Sequence, residues 1–523
     1  MKRKILLLSF LAVMSALCLS LFNFLTFSED QYANDITPDC TVFAEGFTDP
    51  SLLWDQKAQK GASCKENGQI TIEAEEEIGA LYLRFNSDPV AYTVISEETQ
   101  YIGGQEGYLH EYINIKKHLG SAHKLTLYFH SDFEISELTV FSTGKRPPEI
   151  QVWKPSLTQA DLLLYAAHSD DDQLFFAGVI PKYVAADYKV QVAYLTYHPD
   201  WACRRHELLD GLWAAGCEYY PIYGKFADFR IDDLKETVAE YQKKGTAYVD
   251  LEGFIVETTR KTKPLVIVSH DPKGEYGHGM HQLLSKMVRD HLPLCGDARA
   301  YPSSAKEYGT WTVPKTYLHL YEENQIVLNI DEPLERFSGK SAFQVSQESF
   351  LKCHTSQHGG WYFKWQQGTP TKPVKSSTEL EIYNPAFYGL YESTVGADTA
   401  KNDFFENLLS YAEQREKQEA DKLKEEQQAQ QNKEELSELQ EEFAKLKEEL
   451  LEKAEEEERL KEELNALEET IDALGDDKEG LEKELAAQQK KSTLLLCVLS
   501  VLALSCSVLV GYLLIVHKKT NKE

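Results

Sequence analysis

Leu162-Leu163-Leu164-Tyr165-Ala166-Ala167-His168-Ser169-Asp170-Asp171-Asp172 is an apolar run that ends abruptly in one histidine and three carboxylates. The run reads as a buried strand, so the polar residues fall at its carboxyl end. Gly277-His278-Gly279-Met280-His281 repeats the arrangement: two imidazoles three residues apart, where a loop becomes a helix, just after a second apolar strand, Pro264–Ser269. Two His and one Asp converging from separate strand ends make an open zinc site, with three protein ligands and a fourth position for water. A spare carboxylate beside a ligand could deprotonate that water, which is hydrolase chemistry. Each motif alone has a plainer reading. Asp170–Asp172 could complement a helix N-terminus, and His278 and His281 could simply pack. Found together at the ends of parallel strands, they favour the site.

The surrounding pattern supplies those strands. From residue 157 on, the strand-like stretches Leu162–Ala167, Val190–Thr196, Tyr219–Tyr223 and Leu265–Ser269 alternate with helical stretches at Leu174–Ala186, Arg204–Ala215, Asp232–Lys243 and Asp250–Lys261. This predicts an α/β domain over 157–400, with a Rossmann-like, mostly parallel sheet covered by helices on both faces. Ligands bind such sheets beyond the carboxyl ends of the strands. His168, Asp228, His270 and the Gly277–His281 loop all fall on that rim. Residues 40–146 carry short alternating stretches, Gln69–Glu73, Ala80–Phe85, Tyr92–Ser96, Leu125–His130 and Ser136–Phe141, which predict an all-β sandwich. Asp49-Pro50-Ser51 and the closing strand Ile135–Val140 faintly resemble a discoidin-like galactose-binding module; a purely structural β domain fits equally well. Gly144-Lys145-Arg146-Pro147-Pro148 reads as the linker that ends it.

The 523 residues carry a net charge of -29, roughly half of it within 412–491, which speaks against a nucleic-acid partner. Of the nine cysteines, Cys18, Cys497 and Cys506 lie in apolar terminal segments; Cys40, Cys64, Cys203, Cys217, Cys295 and Cys353 remain. They form no CxxC pair, which argues against a thiolate zinc site. Their even number permits disulfides, with Cys40–Cys64 the first pair to test. Lys2-Arg3-Lys4 followed by the uncharged Ile5–Phe27 marks residues 1–30 as a signal peptide or signal anchor. Thr493–Val516 is long enough, at about 24 residues, to span a bilayer. The basic tail 517–523 should stay in the cytoplasm, leaving the rest of the chain outside it. Between the catalytic domain and this span, residues 412–491 predict a coiled-coil stalk. From Leu436 to Leu485, twelve of fifteen a and d positions are apolar without a slip in register, as in Leu439, Phe443, Leu446 and Leu450. Tethering in one bilayer would align two copies as a parallel homodimer; a single charged helix is the plainer alternative.

Ala167-His168-Ser169-Asp170-Asp171-Asp172 resembles the AHPDDE signature of the PIG-L/LmbE-like zinc deacetylases, which include the N-acetylglucosaminyl-phosphatidylinositol de-N-acetylases. Arg204-x-x-Glu207, Gly216, Asp228, Gly277-His278-x-x-His281 and His354-x-Ser356-Gln357 follow in the family's order, so the resemblance covers about 157–360. Ser169 replaces the usual Pro and Asp172 the usual Glu. Neither change removes a ligand, although the shorter acid could alter support from behind the metal. The resemblance implies that His168, Asp171 and His281 bind Zn2+ (or another divalent ion), that Asp170 is the general base, and that His278 stabilises the oxyanion or protonates the leaving amine. It also implies that Arg204 and Asp228 contact the sugar. An Arg204–Glu207 ion pair on the helix surface is an equal reading. His270-Asp271 reads as a structural loop, and His354 as either a substrate-side or a core residue. The implied activity is removal of the N-acetyl group from an N-acetylglucosamine-containing glycan or glycoconjugate, by a membrane-tethered, extracytoplasmic enzyme. A tethered glycan-binding protein that has lost turnover on the same fold is the alternative.

Overall fold

The computed structural model describes residues 31–97, 99–474 and 478–520; the expected export segment at 1–30 lies outside them, as do residues 521–523 of the expected tail. Residues up to Tyr411 and from Ala412 onward form two separate compact units.

The first unit holds two sheets. The amino-proximal one comprises β1 (Thr41–Thr48), β2 (Ala62–Glu73), β3 (Ile78–Phe85), β4 (Tyr92–Ser96), β5 (Thr99–Gly103), β6 (His110–Asn114), β7 (Lys124–Phe129) and β8 (Phe133–Ser142). All five predicted stretches coincide with strands; β1, β5 and β6 were not anticipated, because their apolar alternation is broken by Glu45, Gln100 and Glu111. The order is β5-β4-β7-β2-β8-β3-β6, with β1 on β2, and the pairing is antiparallel throughout. The strands form one continuous hydrogen-bonded sheet, and β2 is the strand that serves both halves. Its Ala62–Cys64 segment pairs with β8 and its Gly68–Glu73 segment with β7. The switch falls at Asn67, φ +70, and at Gly68, where a Cβ would lie 2.6 Å from that of Cys64. No disulfide joins the described cysteines. Cys40 Sγ donates instead to Ile36 O, and Cys64 is a buried free thiol, which corrects the Cys40–Cys64 expectation.

The second sheet comprises β9 (Leu162–Ala166), β10 (Val190–Thr196), β11 (Ile222–Phe226), β12 (Val266–Ser269), β13 (Lys315–His319), β14 (Gln325–Val327) and β15 (Phe387–Ser393), in the order β11-β10-β9-β12-β13-β15-β14. Neighbours from β11 to β13 run parallel. β15 is antiparallel to both β13 and β14, an edge that the sequence pattern did not predict. The apolar runs are continuous because both faces are covered. Leu162, Leu164 and Ala166 pack into one cluster, and Leu163, Tyr165 and Ala167 into another. The helices doing the covering are α1 (Val179–Ala185), α2 (Ala202–Ala214), α3 (Leu234–Lys243), α4 (Tyr248–Thr262), α5 (Gly279–Cys295) and α6 (Ala342–Cys353). α1 starts five residues later than Leu174, because residues 169–178 are taken up by turns that carry the carboxylates.

The two sheets share one apolar cluster and a polar relay. The Tyr82 hydroxyl lies 2.9 Å from His110 Nδ1, His110 Nε2 is 2.7 Å from His206 Nδ1, and His206 Nε2 is 2.8 Å from Asn86 Oδ1. With both imidazoles neutral, the Tyr82 hydroxyl donates, each imidazole accepts once and donates once, and Asn86 Oδ1 accepts at the end. Burial holds both histidines well below their ordinary value, with Arg84 adding to the effect.

The second unit contains two long helices, α7 (Tyr411–Leu474) and α8 (Lys478–Thr520). In α7 the predicted a and d side chains from Leu436 to Leu467 are only half-buried. Glu484–Gly511 in α8 is long and apolar enough to cross a membrane, with a mean hydropathy of 2.6; it overlaps most of the predicted Thr493–Val516.

Candidate metal centre

Each of the five parallel strands delivers a polar residue to the same rim. β9 leads into His168–Asp172, β10 into His198, β11 into Asp228, β12 into His270, and β13 ends in His319. The loop after β12 then turns back under the site. Gly274 and Gly277, at φ +69 and +78, bracket Glu275 and aim its carboxylate inward. At Gly274 a Cβ would meet His278 O at 2.6 Å, so a side chain there is excluded.

Three donors converge. His168 Nδ1 is 3.1 Å from His281 Nε2 and 3.2 Å from Asp171 Oδ2, and His281 Nε2 is 3.4 Å from Asp171 Oδ1. Ligands held at about 2.0–2.2 Å in a tetrahedron stand roughly 3.3–3.6 Å apart, so this spacing fits a common small cation. Carboxylates also stand behind both imidazoles: His281 Nδ1 is 2.7 Å from Glu275 Oε2 and His168 Nε2 is 3.3 Å from Asp228 Oδ1, ion-pair distances at which neither nitrogen makes a directed hydrogen bond. Burial disfavours a charged His168, yet Asp228 and Asp171 carry it up to about 9. Burial also opposes ionisation of Asp171, but the three imidazoles of His281, His168 and His270 hold it well below the carboxylate range. A field that draws protons onto bare imidazoles stabilises a dication by the same mechanism.

Two further sets also lie close: His168, His278 and His281, and Asp171, His270 and His281. Hydrogen bonding separates the second set from the first three donors. His270 Nε2 accepts the Ala167 N–H at 3.0 Å and its Nδ1 faces Glu275 at 2.8 Å, so neither nitrogen keeps a free lone pair. His270 is nonetheless wholly buried and 3.3 Å from Asp171 Oδ2. Its role is structural, as expected: it ties the end of β9 to Glu275 behind the centre.

The other predicted residues gather around these. Arg204 Nη2 donates to Asp170 Oδ1 at 2.8 Å and lies 3.9 Å, through Nη1, from Asp228. Glu207 takes no part in that pair. It accepts from Ser356 N, Ser356 Oγ and Thr355 Oγ1 at 2.6–3.0 Å, fixing the segment after α6. Burial pushes the Asp170 carboxyl up; the Arg204 guanidinium opposes this and Asp171 reinforces it. His278 caps α5 through Nδ1, which accepts the Met280 N–H at 3.2 Å, so its ring proton sits on Nε2. Burial, with His168 and His281 beside it, lowers His278 to about 2 and keeps it neutral. His354 is a core residue, stacked on Phe350 at 5.5 Å, with Nε2 turned toward Gly211 in α2.

Sequence reasoning missed Glu275, His319 and His198. Glu275, wholly buried, faces His270, His281 and His319, the last at 2.7 Å. Its position between two histidine motifs was the available signal. His198, at φ +49, lies 3.6 Å from Asp228 and has no neighbouring motif to mark it.

Residues 163–292 match the family model PIG-L, described as GlcNAc-PI de-N-acetylase, and the chain thus carries a PIG-L domain. Among curated proteins it is similar to 1D-myo-inositol 2-acetamido-2-deoxy-alpha-D-glucopyranoside deacetylases. That of Mycobacterium leprae (strain TN) is 27% identical over 187 residues, covering 31% of this chain and 59% of the relative. That of Mycolicibacterium smegmatis is 27% identical over 180 residues, covering 30% and 58%. The chain thus spans less than two thirds of these relatives' length. Among solved structures, N,N'-diacetylchitobiose deacetylase from Pyrococcus horikoshii aligns over 44% of this chain and 84% of its own, at 13% identity and a TM-score of 0.31. A conserved protein from Thermus thermophilus aligns over 46% and 98%, at 14% identity and a TM-score of 0.32.

Proposed function

We propose that this protein is a zinc-dependent N-deacetylase acting on an N-acetylglucosamine-containing glycan or glycoconjugate, with His168, Asp171 and His281 as the metal ligands. The observation that carries the reading is the convergence of His168 Nδ1, Asp171 carboxylate and His281 Nε2 within 3.1–3.4 Å, each imidazole with its far nitrogen against a carboxylate. Bound zinc would supply Lewis acidity to the acetyl carbonyl and to the attacking water. Asp170 takes the proton from that water at Oδ2, since Oδ1 is occupied by Arg204. Its raised affinity for protons then suits it to hand the proton to the leaving amine. His278, neutral and protonated at Nε2, donates to the developing oxyanion. Arg204 orients Asp170 and, with Asp228, meets sugar hydroxyls.

The same reading makes the enzyme membrane-tethered, which the apolar Glu484–Gly511 helix supports, and extracytoplasmic, which rests on the basic residues after Val516. The half-buried stripe of α7 supports pairing of two stalks in parallel. The test is acetate release from N-acetylglucosamine-containing compounds by protein dialysed against chelator. Zinc should restore the release, and His281→Ala should abolish both metal content and turnover. Turnover that survives chelator and His281→Ala would overturn the reading. Glycan binding without any acetate release would favour the inactive, tethered alternative.

A further inference from the structure

Along α2, the helix whose first turn carries Arg204, lies a cleft of about 1010 Å3, at the upper end of the roughly 300–1,000 Å3 typical of ligand pockets. Its walls come from both sheets. The loop at Gln56–Gln59 and Arg84 belong to the amino-proximal sheet, Pro148, Glu149 and Gln151 to the connection, and the rest to α2, the end of α6 and the segment after it. Along α2 the lining residues are Cys203, His206, Glu207, Asp210, Trp213 and Ala214. That spacing marks one helix face, and it extends about 16 Å along the axis. Arg204, which reaches Asp170, sits on the adjoining face at the first turn of the same helix. Next to it Trp201 exposes 49% of its surface, with the Arg204 guanidinium 5.6 Å from its ring.

The polar equipment is held in place. Asp210 accepts from Arg84 Nη2 at 3.0 Å and from Gln151 Nε2 at 2.6 Å, and the Trp213 indole N–H donates to Pro148 O at 2.8 Å. Behind the wall stands the neutral relay through His110 and His206. Lys57, Arg84 and Lys352 are matched by Glu149, Glu207 and Asp210, so the cleft selects neither an anion nor a cation. Fixed donors and acceptors of both kinds around an indole suit a chain of uncharged sugar rings.

We infer that this cleft is a second carbohydrate subsite, which takes the glycan units beyond the acetylated sugar, so that the substrate is an oligomer or polymer and not a small glycoside. The inference rests on the deacetylase reading for its rate test, but not for its binding test. On chitin oligosaccharides from dimer to hexamer, acetate release by the intact protein should rise in kcat/KM with length, by roughly tenfold or more over N-acetylglucosamine. In Trp213→Ala, and separately in the exposed Lys57→Ala, the ratio of kcat/KM for hexamer to that for monosaccharide should fall about tenfold. A merely structural defect would lower both values together and leave the ratio in place. Calorimetric titration of chitohexaose into Asp170→Asn protein, with and without Trp213→Ala, reads the same subsite when no acetate is released at all. Equal kcat/KM for every length, or hexamer binding indifferent to both cleft substitutions, would overturn the proposal.

Discussion

At the scale of single residues, Glu275 is the most exacting position. It is a wholly buried carboxylate against three imidazoles, and those partners hold it well below the carboxylate range despite burial. Its Oε2 lies 2.7 Å from His281 Nδ1, behind the nitrogen that faces the other donors. Glu275→Gln keeps the volume but removes the charge, so zinc affinity measured by chelator competition should fall about 10–100-fold. Unchanged affinity would mean that His281 is oriented by packing alone. Asp170→Asn makes the complementary prediction. Asp170 is not among the converging donors, so the variant should retain metal in elemental analysis while turnover drops by about 10²–10⁴-fold. A variant that loses metal instead would move Asp170 into the ligand set.

At the scale of elements, the junction between α2 and the amino-proximal sheet should be sensitive to acid. His110 and His206 face Tyr82, Arg84, Arg205, Asp210, Asn86 and Ser136, and both imidazoles are only 1% exposed. Their folded values are depressed below the ordinary 6.5. Below about pH 6.5 the unfolded chain therefore binds more protons than the folded one, and stability falls as the pH drops. Above that value the contribution is complete. Thermal melts of the intact protein and of His206→Asn should show a smaller loss between pH 7 and 5 in the variant. Parallel curves would mean that the relay adapts to the proton. Substituting only one member leaves its partner's lone pair unmet in the interior, so His206→Asn should also be less stable at neutral pH by about 1–3 kcal/mol.

At the scale of the whole molecule, the charged helix α7 decides whether the protein works as one chain or two. It extends about 96 Å at 1.5 Å per residue. Its apolar stripe includes Leu436, Leu439, Phe443 and Leu446, interrupted by Lys453 and Glu457. Identical charges facing each other at those positions weaken a parallel pair without changing its register. A fragment spanning 412–491 should therefore gain helicity as its concentration rises and sediment as a dimer at high concentration. Helicity independent of concentration, with a monomer mass, would make the helix a spacer without a partner.

What the sequence determined by itself was local. Apolar runs that stop at His168 and His270, and the Gly277–His281 turn, place histidines and carboxylates at strand ends, because a strand buried on both faces must be apolar until it leaves the sheet. A motif spaced within five residues survives as a motif whatever the fold does elsewhere. Tertiary structure decided everything that depends on meeting across the chain. His319 reaches Glu275 from 44 residues away, and His206 reaches His110 across 96. No periodicity encodes such pairs; they exist because neighbouring parallel strands end at one rim and α2 packs against the amino-proximal sheet. The same packing gave His270 its partners, Ala167 N and Glu275. It also gave Glu207 to Ser356 in place of Arg204, because a buried carboxylate takes whichever donors the fold brings within reach.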